Sequence, residues 1–190
     1  VKDCNTENFM FVDFIKPSII YKSANTEIDS ENKIVTMKFD VIDKYYASSN
    51  LKLSDIIMKI YNEASDEQDK WEQVEVNNVI SYEEYVQKTK KENGYDNIDI
   101  TSLSSEELEK FANGIFTENY YHQNIENNFN TLTFEADKDG HGGTYTLQIK
   151  NLEQGMGELY KNYSGYISFI IPEGKIVDKS GNTNISKSIT

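Results

Sequence analysis

The chain has no arginine, since all nineteen of its basic residues are lysines. Arginine is the side chain that usually recognises carboxylates, phosphates and base edges through two parallel hydrogen bonds, so its absence argues against a nucleotide or phosphate enzyme. Thirty-two acidic residues give a formal charge of −13, which argues against nonspecific binding of nucleic acids or anionic membranes. We therefore expect no nucleic-acid partner.

Cysteine, histidine and long apolar runs are also scarce. The single cysteine, Cys4, cannot form an internal disulfide, and the two histidines, His122 and His141, lack further ligands at zinc-site spacing. No apolar run approaches the length of a transmembrane helix, so direct membrane insertion is not expected. Because the chain also lacks an initiator Met and a signal-peptide pattern, we expect a piece of a longer protein. Nucleophile elbows, phosphate loops and dinucleotide fingerprints are missing as well, so we expect neither an enzyme nor an organic cofactor.

Alternating apolar and polar residues dominate the rest of the chain. In residues 34–42, Val35, Met37, Phe39 and Val41 share one face, which predicts a half-buried antiparallel strand. Residues 131–136 and 144–149 form a predicted hairpin across a glycine-rich turn. The other predicted strands are 51–62, 71–80, 165–171, 175–177 and 184–189. Short turns between strands indicate an all-β, antiparallel sandwich.

Between residues 81 and 130 the pattern becomes helical. Ser81-x-x-Glu84 and Ser104-x-x-Glu107 both fit a capping box, and apolar residues at helical spacing follow the second, as far as Phe116. A short amphipathic helix needs a surface to cover its apolar face. We expect this largely helical insert to pack on its own sheet, with packing on a partner as the alternative. Just beyond it, three consecutive residues form a predicted aromatic contact patch: Tyr120, Tyr121 and His122.

Four blocks of the chain carry a family resemblance: 33–44, 51–56, 145–152 and 167–182. The most specific is the last, a strand followed by Pro172-x-Gly174-x-Ile176-x-Asp178-x-x-Gly181-Asn182. These blocks resemble the bacterial immunoglobulin-like repeat of large secreted and cell-wall proteins of Gram-positive bacteria. The resemblance implies an immunoglobulin-like β-sandwich over 14–190, outside the cell, that spaces or presents other domains without catalysis, often in adhesins. The helical insert over 81–130 departs from this pattern.

A degraded copy of residues 177–184 occurs at residues 1–8, where Val, Asp, Asn, Thr and Asn recur in the same order. This predicts a tandem array in which residues 1–13 are a linker or the tail of a preceding module, with neighbouring modules of the same chain as partners. A chance match among abundant Asn residues is the alternative. The second functional hypothesis is a dedicated binding module whose insert contacts a host or cell-wall protein or glycan.

Acidic residues near the predicted strand ends suggest a cation site. In an immunoglobulin-like fold the loops after residues 42 and 171 lie at one end of the sandwich, where the chain also enters. Five oxygen-bearing residues would meet there and could bind Ca²⁺: Asp13, Asp43, Asp55, Asp178 and Asn182. The alternative is that Asp178 and Asn182 only stabilise their own turn and that Asp43 and Asp55 only terminate strands. Asp137-x-Asp139-Gly140 is interpreted as a hairpin turn, because Gln148 stands where a calcium loop has Glu.

Overall fold

The computed structural model describes residues 13–29, 31–62, 65, 70–150 and 163–190. Segment 1–8, with Cys4, lies outside the described residues, as does most of the predicted linker. Ten strands are described, all paired antiparallel. They are β1 (Ser18–Asp29), β2 (Ile34–Ile42), β3 (Tyr46–Ser49), β4 (Ile57–Asn62), β5 (Trp71–Glu75), β6 (Thr131–Ala136), β7 (Gly142–Ile149), β8 (Tyr163–Ile171), β9 (Ile176–Asp178) and β10 (Lys187–Ile189).

The strands form two four-stranded sheets and one small pair. One sheet has the order β1-β2-β7-β6, the other the order β10-β8-β4-β5, and β3 pairs with β9. Hydrophobic residues of both large sheets share a single buried cluster. We call these strands and their shared core the double-sheet body. The predicted antiparallel, β-rich architecture is confirmed.

Side-chain alternation explains the core. On β2, Val35, Met37, Phe39 and Val41 are all buried, while Lys38 between them is exposed. Burying one such side chain contributes roughly 1.5–3 kcal/mol relative to leaving it in water, so register is strongly fixed wherever one face is covered. The predicted bounds of β2 and β6 are those observed, and the other six predicted strands are present with shifted ends.

Two strands, β1 and β3, were not predicted, and β1 is the longer. The sequence predicts a turn-rich segment over residues 23–32, yet β1 runs to Asp29, with an irregular register between Tyr21 and Thr26. The side chains of Ile20 and Ile28 are exposed, so β1 lacks the one-sided burial that makes a strand visible in a sequence. Its backbone hydrogen bonds to β2 hold it in place, as expected for an edge strand.

The segment between β5 and β6 is helical, as predicted. It contains α1 (Tyr82–Glu92), α2 (Ser105–Lys110) and α3 (Glu118–Tyr120), which continues through π and 3-10 turns to residue 128. Both predicted capping boxes are confirmed at Ser81 and Ser104. The helix expected to reach Phe116 ends at Lys110 instead, because three consecutive residues adopt left-handed backbone angles: Ala112, Asn113 and Gly114. No described helix is long and apolar enough to cross a membrane.

The expectation that the insert covers its apolar face on the sheet is wrong. Its five buried hydrophobic residues form a second core, separate from that of the double-sheet body: Tyr85, Val86, Ile100, Phe116 and Tyr121. The rings of Phe111 and Phe116 stack at 5.6 Å, and the hydroxyl of Tyr85 donates to the carbonyl of Ile115 at 2.9 Å. The turns that follow α1 therefore supply the surface that a single short helix lacks.

Candidate metal centre

The first two carboxylates of the centre are positioned by the β1–β2 pair. Ser18 is paired with Ile42, so the start of β1 and the end of β2 lie at the same edge. Asp43 follows β2 directly, and its Oδ1 accepts a hydrogen bond from the backbone N–H of Tyr45 at 2.7 Å. Asp13 lies just before β1, and its Oδ1 accepts from the N–H of Ile15 at 2.9 Å. Each carboxylate is thus oriented by its own backbone turn.

The third carboxylate is brought in by the short β3–β9 pair. Asp178 ends β9 and is paired with Tyr46, which begins β3 three residues after Asp43. Its Oδ1 accepts from the N–H groups of Ser180 and Asn182, both at 2.8 Å. The sequence predicts a loop over residues 43–50, because β3, at four residues, is too short to show a convincing alternation.

Asp13, Asp43 and Asp178 form a compact buried cluster, which we call the aspartate cluster. One carboxylate oxygen from each lies within 4.8 Å of the others. Their exposed fractions are 8%, 5% and 2%. Among the described residues, no lysine or histidine forms an ion pair with any of the three, since every pair found there involves other acids. Three ionised carboxylates this close together and this poorly hydrated would repel one another strongly.

The ionisation of Asp178 is favoured by its hydrogen bonds. Burial opposes the charged form, but bonds from the side chain and backbone of Asn182 and from the N–H groups of Ser180 and Gly181 outweigh it. The pKa of Asp178 is therefore below its usual value. This group remains an anion at neutral pH, which is the state that a cation requires.

Asn182 lies at the edge of the aspartate cluster and bridges two of its segments. Its Nδ2 donates to Asp178 Oδ2 and to the backbone oxygen of Asp13, both at 2.7 Å. The amide nitrogen, not the oxygen, faces these acceptors, so Asn182 acts here as a hydrogen-bond donor. The bonds that the turn alternative expected of Asp178 and Asn182 are present, and they coexist with the convergence of the three carboxylates.

Asp55 does not join the cluster. Its Oδ1 pairs with Lys175 Nζ at 2.8 Å, and this hydrogen bond, though opposed by burial, holds the pKa of Asp55 below its usual value. Lys175 lies in the turn just before β9 and Asp178 ends β9, so the two residues are at opposite ends of that strand. Asp55 thus lies at the opposite end of β9, and its inclusion in the predicted set is corrected.

The predicted patch of Tyr120, Tyr121 and His122 does not form one exposed surface. Tyr121 is buried, and its hydroxyl donates to the carbonyl of Ile80 at 2.6 Å. Tyr120 is half-buried, and His122 is exposed beside Glu126. Successive helical residues point about 100° apart, so three in a row cannot share one face. The prediction of a joint contact patch is corrected for this reason.

The chemistry of the aspartate cluster is that of a hard-cation site. Its ligands are carboxylate oxygens, with no cysteine or histidine among them. Such oxygens suit Ca²⁺ and Mg²⁺, whereas zinc sites favour sulfur and nitrogen. Three carboxylates offer up to six oxygens, and Ca²⁺ takes six to eight, the remainder being water or backbone carbonyls.

Comparisons with known proteins found no relative of this chain. No protein-family model, no curated protein and no solved structure matches this chain.

Proposed function

We propose that the chain is a non-catalytic, immunoglobulin-like β-sandwich module of a larger bacterial cell-surface or secreted protein, in which it spaces or presents neighbouring modules. Two antiparallel sheets around a shared core support this architecture. Sandwiches of this kind are rigid because their inner faces interdigitate at the density of an organic crystal. A rigid body with the segment before β1 fixed to it is suited to holding other domains at a set distance.

The aspartate cluster carries this proposal further, because it ties the entering chain to the body. Asp13 precedes β1, Asp43 follows β2 and Asp178 ends β9, so a bound Ca²⁺ would join three separate segments. Without a cation, the same three charges would push these segments apart. We propose that Ca²⁺ binds here and stiffens the entry to the module.

Thermal unfolding with Ca²⁺ or with chelator tests the site. Extracellular modules bind Ca²⁺ with Kd of about 0.1–1 mM. At about 10 mM Ca²⁺ and a Kd of about 0.1 mM, mass action stabilises the folded state by about 2.7 kcal/mol. For a chain of this length, that raises Tm by about 5–10 °C. An unchanged Tm across this Ca²⁺ range would remove the site.

The variant Asp43→Asn sharpens the test, because the amide keeps the Oδ1 acceptor that Tyr45 N–H uses. In chelator the variant is expected to be more stable than the wild type, since one repulsive charge is gone. In Ca²⁺ it is expected to be less stable, since a charged ligand is gone. Asp96→Asn makes the same charge change at an exposed residue and should keep the full Ca²⁺ response. If Asp43→Asn is more stable than the wild type in both buffers, or less stable in both, the cation site is contradicted.

The surface role has its own test, antibody labelling of intact cells of the source organism. Labelling of intact cells is expected for a module outside the cell. Labelling that appears only after lysis would refute the surface role and leave the cation measurement unaffected.

A further inference from the structure

A cleft of about 350 Å³ lies where the helical insert meets the double-sheet body. Ligand pockets in proteins span roughly 300–1,000 Å³, so this cleft fits a small ligand of one or two rings. Its apolar lining comes from both cores, with Met58, Val74 and Ile149 on the body side and Ile80, Ile125 and Phe129 on the insert side. The apolar part of the cleft lining therefore combines residues from both cores.

Two asparagines hold the cleft walls together. Asn130 is buried, and its Nδ2 donates to Val76 O at 2.7 Å while its Oδ1 accepts from Lys150 N at 2.8 Å. Asn78 accepts from Asn130 N at 2.7 Å and donates to Asn128 O at 3.0 Å. These bonds join the ends of the insert to the sheet before any ligand arrives. The cleft is thus preformed, which lowers the entropic cost of binding.

Two other asparagines in the cleft keep unused acceptors. The Nδ2 of Asn124 donates to Tyr120 O at 3.1 Å, and that of Asn128 donates to Asn124 O at 2.8 Å. Since a carbonyl only accepts, these bonds fix which end of each amide is nitrogen. Among the described residues neither Oδ1 has a hydrogen-bond partner. The two residues are four apart and both line the cleft, so each can offer its Oδ1 as an acceptor to a ligand there.

The charges that line the cleft balance. Glu75 and Glu92 oppose Lys88 and Lys150, so the lining has no net charge in a chain of −13. Lys88 and Glu92 lie 3.9 Å apart and are both more than half exposed, so they remain available to a ligand. Two lysines countered by two glutamates give no preference for a phosphate or a metal ion. The ligand that suits this lining is uncharged and rich in hydrogen-bonding groups.

From these observations we propose that the cleft binds a neutral saccharide of one or two pyranose rings. Sugar hydroxyls donate to Asn124 Oδ1 and Asn128 Oδ1 and exchange hydrogen bonds with Lys88 and Glu92. The C–H faces of the sugar lie against Phe129, whose ring face carries partial negative charge. This binding site goes beyond the spacer role and does not depend on the aspartate cluster.

The experiment is an NMR titration of the ¹⁵N-labelled chain with maltose, cellobiose and N,N′-diacetylchitobiose. At least one is expected to bind with a Kd of about 1 mM or tighter and to shift amide signals within residues 75–92 and 124–130. Inorganic phosphate at the same concentration should produce no such shifts. No binding by any of the three sugars, or equal shifts with phosphate, overturns the proposal.

Paired asparagine variants locate the contact. Asn124→Ala with Asn128→Ala removes both acceptors and should weaken binding about tenfold or more. Asn127→Ala is the matched control, because its Nδ2 bonds Gln123 O in the same way although the residue does not line the cleft. If the double variant loses helical circular dichroism, the exposed single change Asn124→Ala gives the deciding comparison. Unaltered sugar affinity in a folded asparagine variant refutes the assignment.

Discussion

Asn184 is predicted to be the polar residue on which the end of the chain most depends. Its side chain is 2% exposed and makes four hydrogen bonds to the backbone. The Oδ1 accepts from Lys175 N at 2.9 Å and Ile176 N at 3.0 Å. The Nδ2 donates to Pro172 O and Ile185 O, both at 2.9 Å. One side chain thus holds together the turn between β8 and β9 and the segment that leads into β10.

The change Asn184→Ala breaks all four bonds. A hydrogen bond between neutral groups contributes about 1 kcal/mol net, so the sum is about 4 kcal/mol, and more where water cannot reach the abandoned backbone groups. The total stability of a domain is about 5–15 kcal/mol, so this single change would remove a large part of it. At about 2–4 °C per kcal/mol, Tm should fall by about 8–16 °C.

Urea unfolding followed by circular dichroism measures this change, and a lowered midpoint with an unchanged slope is the expected result. The control Asn97→Ala removes the same side chain from an exposed loop and should change stability by no more than about 0.5 kcal/mol. A loss below about 1 kcal/mol in Asn184→Ala would refute the reasoning, because it would mean that water or an alternative partner satisfies the four backbone groups.

Two further predictions concern the hairpin and the tyrosines. A Cβ on Gly142 would lie 1.9 Å from Val41 O at a φ of +138°, so Gly142→Ala should cost about 3 kcal/mol or more by urea unfolding, whereas Gly140→Ala, with open space around it, should cost about 1 kcal/mol. Equal losses of stability in Gly142→Ala and Gly140→Ala would contradict the predicted clash. Burial raises the pKa of five tyrosines, so their contribution to stability is complete below the unfolded value of about 10 and is lost as pH rises through their folded pKa values. They are Tyr46, Tyr82, Tyr85, Tyr121 and Tyr145. Ionisation followed at 295 nm should coincide with loss of circular dichroism, and full ionisation in a folded chain would contradict their burial.

Strands with one covered face could be predicted from the sequence, because alternation records burial directly. Residues Val35 to Val41 alternate between apolar and polar without interruption, and the strand has the predicted bounds. β1 and β3 could not be predicted from alternation: β1 leaves Ile20 and Ile28 exposed and is held by backbone pairing with β2, and β3 is held by pairing with β9, which is distant in sequence. The insert was predicted as helical from its caps, but not its separate core, because a helical stripe does not reveal which surface will cover it.

The candidate centre could be predicted only in part, for a similar reason. The placement of Asp13, Asp43 and Asp178 followed from which strand ends share an edge, and the structure brings these three together. Asp55 was misplaced because the length of β9, which separates Lys175 from Asp178, depends on its pairing with β3. The cleft between the two cores was not anticipated. Its only trace in the sequence is Asn124 and Asn128 at a spacing of four, which is common on helices.

The most specific sequence pattern of the chain, from Pro172 to Asn182, has a local physical explanation at nearly every position. Gly174 and Gly181 have φ of +78° and +85°, where residues with a Cβ are strained. Ile176 is fully buried, and Asp178 bonds the turn that contains Asn182. A turn with these requirements selects the same residue types in any protein that builds it.

This explanation changes what the pattern says about function. The turn would exist without any ligand, because Asp178 is already held by Ser180 and Asn182. What the turn alone does not require is the burial of two further aspartates, Asp13 and Asp43, beside it. Those two residues come from other segments and form no ion pair among the described residues, so they, rather than the family-like pattern, carry the argument for a cation.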